Sequence, residues 1–180
     1  MLHEIGSDRR ILKTRLALRD ALMSLLAEQG WDDISIRKIC DRANVGRSTF
    51  YLHFASKDDL LSESLDDLRD ALTGATATGV AQQRPFAFLR GLLAHMEENR
   101  RVFRNVIGRR SGFGVERRFR ETVVQLIELD LLHGNLSGIQ RSMQARFLAG
   151  GIVDMMAWWV DAPDALDLDV LEQFILSHRR

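Results

Sequence analysis

Apolar residues recur at intervals of three and four along almost the whole chain, and no stretch alternates with a period of two. That spacing gathers apolar side chains on one side of a helix, so the pattern predicts an all-α protein of about nine helices. A first helix, from about Asp8 to Gln29, carries Ile11, Leu18, Leu22, Leu25 and Leu26 on one face and is closed by Gly30. Ile36, Ile39, Cys40 and Ala43 mark a short second helix capped by Ser35, with Cys40 read as packing. Asn44, of a residue type that tolerates positive φ, reverses the chain. From Gly46 a third short helix buries Val45, Phe50 and Phe54 and shows Arg47, Ser48, Thr49, Tyr51 and His53. Two short helices around a tight turn, the second with a polar reading face, form the helix-turn-helix arrangement, whose second helix enters the DNA major groove.

Ser56 caps a fourth helix, with Asp58 and Asp59 at the positive end of its dipole, running through Leu60, Leu61, Leu65, Leu68 and Leu72. It joins an N-terminal three-helix domain, residues 1–56, to a C-terminal helical ligand-binding and dimerisation domain, residues 57–180, and frays in the small-residue run Thr73–Gly79. Pro85 suits the first turn of a helix carrying Phe86, Leu89, Leu92, Leu93 and Met96 as far as Glu98. Asn99 is placed to cap a short helix with Val102, Phe103, Val106 and Ile107. Further helices run from about Val115 to Leu132, from Ser137 to Val160 and from Leu168 to Ser177. The long helix has two apolar stripes: Met143, Phe147, Gly150, Asp154 and Trp158 on one, Leu148, Ile152, Met155 and Trp159 on the other. One stripe can face the domain's own core, so the second asks for a partner. Gly150 and Gly151 allow close helix approach. The expected dimer surface is Trp159 with Leu168, Leu171, Phe174 and Ile175, paired with their twofold copies as a four-helix bundle. Asp154, a carboxylate on an apolar helix, must be paired or hydrogen-bonded; an Arg of its own chain is the favoured partner and a cationic ligand the alternative.

Composition narrows the function classes. Hydrophobic residues make up 46% of the 180 and charged residues 28%, as in ordinary globular proteins. A single Cys excludes an internal disulfide and a Cys-based zinc site within one chain, and points to a reducing, cytoplasmic setting. The first residues lack the pattern of a secretory signal, and the window Phe147–Val160 is too short to span a bilayer, so no membrane partner is expected. The formal net charge is zero, but residues 1–57 hold 10 Lys or Arg against 7 Asp or Glu. Positive charge therefore lies with the reading helix, as phosphate contact requires. The five His show no ligand spacing, and no nucleophile elbow, Gly-rich phosphate loop or spaced carboxylate pair is present. No catalytic residue, metal or cofactor is expected. Arg100, Arg101, Arg104, Arg109, Arg110, Arg117, Arg118 and Arg120 read as a solvated basic surface paired with Glu97, Glu98, Glu116 and Glu121, or as an anion site.

Gly30-Trp31, the run Ile36 to Asn44, Thr49-Phe50-Tyr51, His53-Phe54 and Ser56 to Leu60 together resemble the TetR family of transcriptional regulators. Asn44, Gly46 and Ser48 depart from the family's usual Gly, Ser or Thr, and Gly, so no operator sequence carries over. The resemblance implies a homodimeric repressor on a palindromic operator in double-stranded DNA. Arg47, Ser48, Thr49 and Tyr51 would lie on the reading face, and Ser35, Arg37, His53 and Lys57 on phosphates. The basic start of the first helix, Arg9, Arg10, Lys13, Arg15 and Arg19, would meet the backbone. It also implies release by a small apolar ligand, in a cavity walled by Phe86, Leu89, Met96, Phe103, Phe119, Met155 and Trp158. The segments F-L-A-G-G-I and W-W-V look like a subgroup that includes relatives of an activator of dihydroxyacetone kinase genes, which gives an alternative: control by a partner protein docking on the C-terminal domain.

Overall fold

A computed structural model describes residues 2–76, 85–108, 113–162 and 166–178. Among them are nine α-helices and no strand, as the periodicity predicts: α1 Leu2–Glu28, α2 Ile36–Ala43, α3 Arg47–His53, α4 Lys57–Thr76, α5 Ala87–Glu98, α6 Arg100–Val106, α7 Phe113–Asp130, α8 Gly138–Asp161 and α9 Leu168–Ser177. Single 3-10 turns stand at Trp31–Asp33 and Leu131–His133. The small-residue run Thr73–Gly79 begins inside α4, and its part beyond Thr76 lies outside the described residues.

Helix ends are set by the side chains expected there. Ser35 Oγ accepts the Lys38 N–H at 3.2 Å, and Asn44 sits in the left-handed region at φ 52°, ψ 45°. Ser56 Oγ accepts from Asp59 N at 3.1 Å, while Ser137 and Gln140 form a reciprocal capping box that starts α8. Asn99 differs from expectation: its amide donates back to the His95 carbonyl at 2.9 Å, so it closes α5 and does not cap α6. Phe86 takes φ 56°, unusual for a bulky residue, and its N–H is held at 2.8 Å by the Asp130 carboxylate.

The core is continuous from end to end. Leu18, Leu22, Leu25 and Leu26 of α1 close over Trp31, Ile34, Ile39, Phe50 and Phe54 of the three-helix unit. The other side of α1 packs on α6, where Asn105 Nδ2 caps the Leu26 carbonyl at 2.7 Å. In the C-terminal part α7 lies along α8, α6 also meets α8, and α9 packs on α5.

Four expectations are corrected here. Ile11, expected inward, is 43% exposed. Arg15 and Arg19 do not stand free for DNA: they pair with Glu63 and Asp67 of α4, and Arg15 also lies over the Phe54 ring. The Arg100–Arg120 stretch is not one surface. Arg100 and Arg104 donate to the last carbonyls of α8, including Val160 O at 3.3 Å, and Arg118 reaches Asp58 and Ser62 of α4. Arg120 pairs with Glu116 as expected; Arg109 and Arg110 lie outside the described residues.

The fourth correction concerns the long helix, whose two neighbouring Trp exchange places. Trp159 is fully buried, donates its indole N–H to Leu166 O at 3.1 Å and carries the Arg100 guanidinium over its ring, so it cannot be a dimer surface. Trp158, expected in a pocket wall, is 51% exposed. Leu168, Leu171 and Ile175 likewise serve the chain's own core, leaving Phe174 as the one expected interface residue that faces out. The outward stripe of α8 is Ile139, Met143, Phe147 and Trp158, continued on α9 by Val170 and Phe174. Asp154 stands exposed on that stripe and has no ion pair among the described residues, against the expected partnership with an Arg.

Candidate nucleic-acid interface

The seven residues of α3 are oriented by Phe50, which is fully buried, with Phe54 behind it at 5.8 Å between ring centroids. At 100° per residue, the two positions that point most directly away from Phe50 are Ser48 and Leu52. Thr49 and Tyr51 flank them, and Arg47 and His53 lie nearer the protein. Ser48 is exposed, Tyr51 is 52% exposed and Leu52 82%. Tyr51 is braced edge-on against Phe50 at 5.5 Å, so its hydroxyl is held away from the protein by a fixed ring. Arg47 is exposed at the start of the helix, beside the open turn at Gly46, where an added Cβ would meet only the Ser48 and Thr49 hydroxyls at 3.8 Å.

Leu52 was not among the residues singled out by sequence. The available signal is angular: a residue two places after a buried Phe lies about 200° round the helix and cannot share its burial.

The flanking residues come from the start of α2, the end of α3 and the start of α4. Ser35 accepts one hydrogen bond as a cap and keeps its hydroxyl hydrogen free to donate. Arg37 is 82% exposed, with a loose ion pair to Asp41 at 3.7 Å that offers little resistance to exchange for a phosphate. His53 is half-buried beside Phe54. Lys57 is turned inward. Its ammonium donates to Trp31 O and Ile34 O, both at 2.8 Å, and lies 4.4 Å over the Trp31 ring. Lys57, a cation at the positive end of the α4 dipole, is thus compensated by carbonyls of the protein, where a DNA phosphate had been expected.

Lys38 does similar work, donating to Asp33 O at 2.9 Å and Gln29 Oε1 at 3.0 Å. Arg42 makes a two-pronged pair with Glu28 at 2.9 and 2.8 Å, which ties α2 to the end of α1 and holds the Glu28 carboxyl below the usual carboxylate range. Burial pushes the Cys40 thiol up, so it stays neutral and packs as a small apolar residue.

The residues expected to wall a ligand cavity are mostly core. Leu89, Met96 and Phe119 have no accessible surface, so no water-sized void touches them, and Phe103 closes edge-on against Phe119 at 5.6 Å. Among the described residues, open clefts of about 620, 570 and 540 Å³ are lined by residues such as Arg101, Arg90 and Arg117, and these three contain no expected wall residue. Among the described residues no three His, Cys, Asp or Glu side chains stand close enough to hold a metal ion, and no helix is long and apolar enough to cross a membrane.

Residues 18–63 match the family model described as bacterial regulatory proteins, tetR family, and residues 83–171 one described as transcriptional regulator C-terminal region. The chain is 26% identical over 181 residues to the HTH-type transcriptional regulator AcrR of Shigella flexneri, covering 87% of this chain and 82% of that one. It is 40% identical over 75 residues to an uncharacterized HTH-type transcriptional regulator, YxbF, of Bacillus subtilis strain 168. That match covers 39% of this chain and only 20% of the relative's own length. Among solved structures, a TetR transcriptional regulator from Streptococcus agalactiae 2603V superposes with a TM-score of 0.73 at 26% identity, covering 98% of this chain and 99% of that one. The fold is shared with Bacillus subtilis FadR in complex with stearoyl-CoA, at a TM-score of 0.67, 17% identity, and 91% and 96% coverage. It is shared also with the dihydroxyacetone kinase operon activator DhaS, at 0.61, 18% identity, and 91% and 94% coverage.

Proposed function

The chain belongs to the TetR family of DNA-binding transcriptional regulators and is not an enzyme, and from that premise we propose that it is a homodimeric repressor whose two α3 helices read a palindromic operator. The observation that carries this reading is the outward face of α3, where Ser48, Thr49 and Tyr51 project from a helix anchored by Phe50 and Phe54, with Arg47 exposed at its start. Arg47, Ser48 and Thr49 address base edges, and Ser35, Arg37 and His53 hold the backbone on either side. The dimer is supported by the unpartnered apolar stripe of Ile139, Met143, Phe147, Trp158, Val170 and Phe174, which two copies would bury against each other.

Selection of binding sites from random duplexes tests the reading. A twofold-symmetric site is expected, with half-sites about 34 to 36 Å apart or a multiple of it. An asymmetric site, or a monomer at micromolar concentration in sedimentation, overturns it.

Release by a small apolar ligand in the C-terminal domain is supported by the shared fold of FadR, which was solved with an acyl-CoA. A switch by a partner protein is the second reading, favoured by the closed packing around Leu89, Met96 and Phe119. A thermal-shift and DNA-release screen with long-chain acyl-CoAs and with aromatic compounds separates the two. Stabilisation with release supports the ligand; no effect, together with release by a protein captured on the C-terminal domain, supports the partner.

A further inference from the structure

Leu52 is the most exposed large apolar side chain of the reading unit, at 82%, and it occupies the centre of the outward face of α3. Its neighbours there are hydrogen-bonding groups, Ser48 one turn before it and Thr49 and Tyr51 to either side. Among the described residues nothing covers it. It lies far round the helix from Phe50, and the apolar stripe of α8 and α9 belongs to another part of the molecule. An isolated apolar side chain on such a face can meet the C–H groups of deoxyribose, which are the same at every sequence, whereas phosphates and most base edges are polar. The floor of the major groove offers an apolar partner that depends on sequence, the 5-methyl group of thymine.

We infer that Leu52 is a specificity-determining residue that selects a thymine in each half-site by covering its 5-methyl group. The inference rests on α3 being the reading helix and adds a base preference that the polar residues alone would not supply. Thymine and cytosine both carry a pyrimidine C5 edge, and only the methyl distinguishes an apolar contact there. A leucine in place of a polar residue therefore favours T·A over C·G at one position without any hydrogen bond of its own. The exposed side chain has little else to do for the fold, so its replacement tests recognition with little effect on packing.

The test begins with the site selected by the full-length wild-type protein from random duplexes. Each thymine of that site is then replaced singly by deoxyuridine, which removes the methyl and leaves the hydrogen-bonding edge intact. For the wild type, one position in each half-site is expected to lose about fourfold in affinity, the factor for burying a single methyl group, and roughly fifteenfold when both half-sites are changed. For Leu52→Ala that loss vanishes while losses from other base changes remain. For Leu52→Gln, the preference at the same position is expected to move towards adenine, which Gln can pair with through two hydrogen bonds.

The inference is overturned if no single deoxyuridine weakens wild-type binding, or if Leu52→Ala keeps the same loss. Failure of the underlying reading is seen separately: Arg47→Ala and Ser48→Ala would then leave every base preference of the selected site unchanged.

Discussion

Lys57 shows how a single side chain can carry charge without offering it to a partner. Two of its three N–H donors are taken by the Trp31 and Ile34 carbonyls, and the aromatic face of Trp31 lies beneath it. Lys57→Met takes the donor from the Ile34 carbonyl and one of two from the Trp31 carbonyl, which keeps the Ile34 N–H at 3.1 Å, and is expected to lower stability by about 2 kcal/mol in urea titration, the size of hydrogen bonds to a charged group. The slope of log affinity against log salt should stay as it is. Arg37→Ala is expected to do the reverse, reducing the slope by roughly one with stability unchanged, because its ion pair with Asp41 is exposed and loose. His95 supplies a pH dependence. Burial between α5 and the Phe103 ring, 5.7 Å away, holds its imidazole below the ordinary value, with Glu98 acting weakly in the opposite direction. The unfolded chain therefore binds this proton more readily. Stability from this group is full above about pH 6.5 and falls as the pH drops towards the lowered folded value. Melting curves between pH 7.5 and 5.5 should show that fall, and His95→Phe should flatten it.

Among the elements, α4 is held from both ends of the molecule. Arg15 and Arg19 of α1 pair with its Glu63 and Asp67, and Arg118 of α7 reaches Asp58 at 3.2 Å and Ser62 at 2.8 Å in its first two turns. Further along, Arg69 donates to Gln125 of α7 at 2.8 Å. The first turn of α4 also contains Lys57, so the Arg118 contact on Asp58 stands one residue from the clasp on the reading unit. Arg118→Ala removes a part-exposed pair and is expected to cost less than about 1 kcal/mol in global stability. Hydrogen exchange should nonetheless rise in the amides of the first two turns of α4. Unchanged exchange there would mean that α7 does not hold α4 through this contact. The carbonyl end of α8 is held in a similar way by Arg100 and Arg104. That is why so dense a run of Arg leaves only part of its charge on the surface.

At the scale of the whole molecule, the proposed dimer would bury the outward stripe of α8 and α9. Gly151 lies on the exposed side of α8, and a Cβ added there would meet nothing within 4 Å in the protomer. Gly151→Leu is therefore expected to leave the melting of the protomer's own core nearly unchanged while obstructing the approach of two α8 helices. Sedimentation at micromolar concentration should then give half the wild-type mass, and operator affinity should fall steeply. A variant that stays dimeric would place the contact elsewhere.

Much of this architecture is determined by local sequence. Ser35, Asn44, Ser56 and Ser137 set helix ends through bonds to backbone groups only a few residues away, so their roles follow from type and position. The buried anchors Phe50 and Phe54 are legible for the same reason, since helical period alone puts them on one side. The charges of residues 1–57 were not legible in that way. Arg15, Arg19, Lys38, Arg42 and Lys57 are all engaged by groups of the protein, and a long flexible side chain finds its partner only when distant elements are packed together. The same holds for the long helix. Trp158 and Trp159 are adjacent and chemically identical, and only the packing of α8 against α6 and α7 decides that Trp159 is core and Trp158 is surface. A period identifies faces; which face is buried is decided by the element that lies against it.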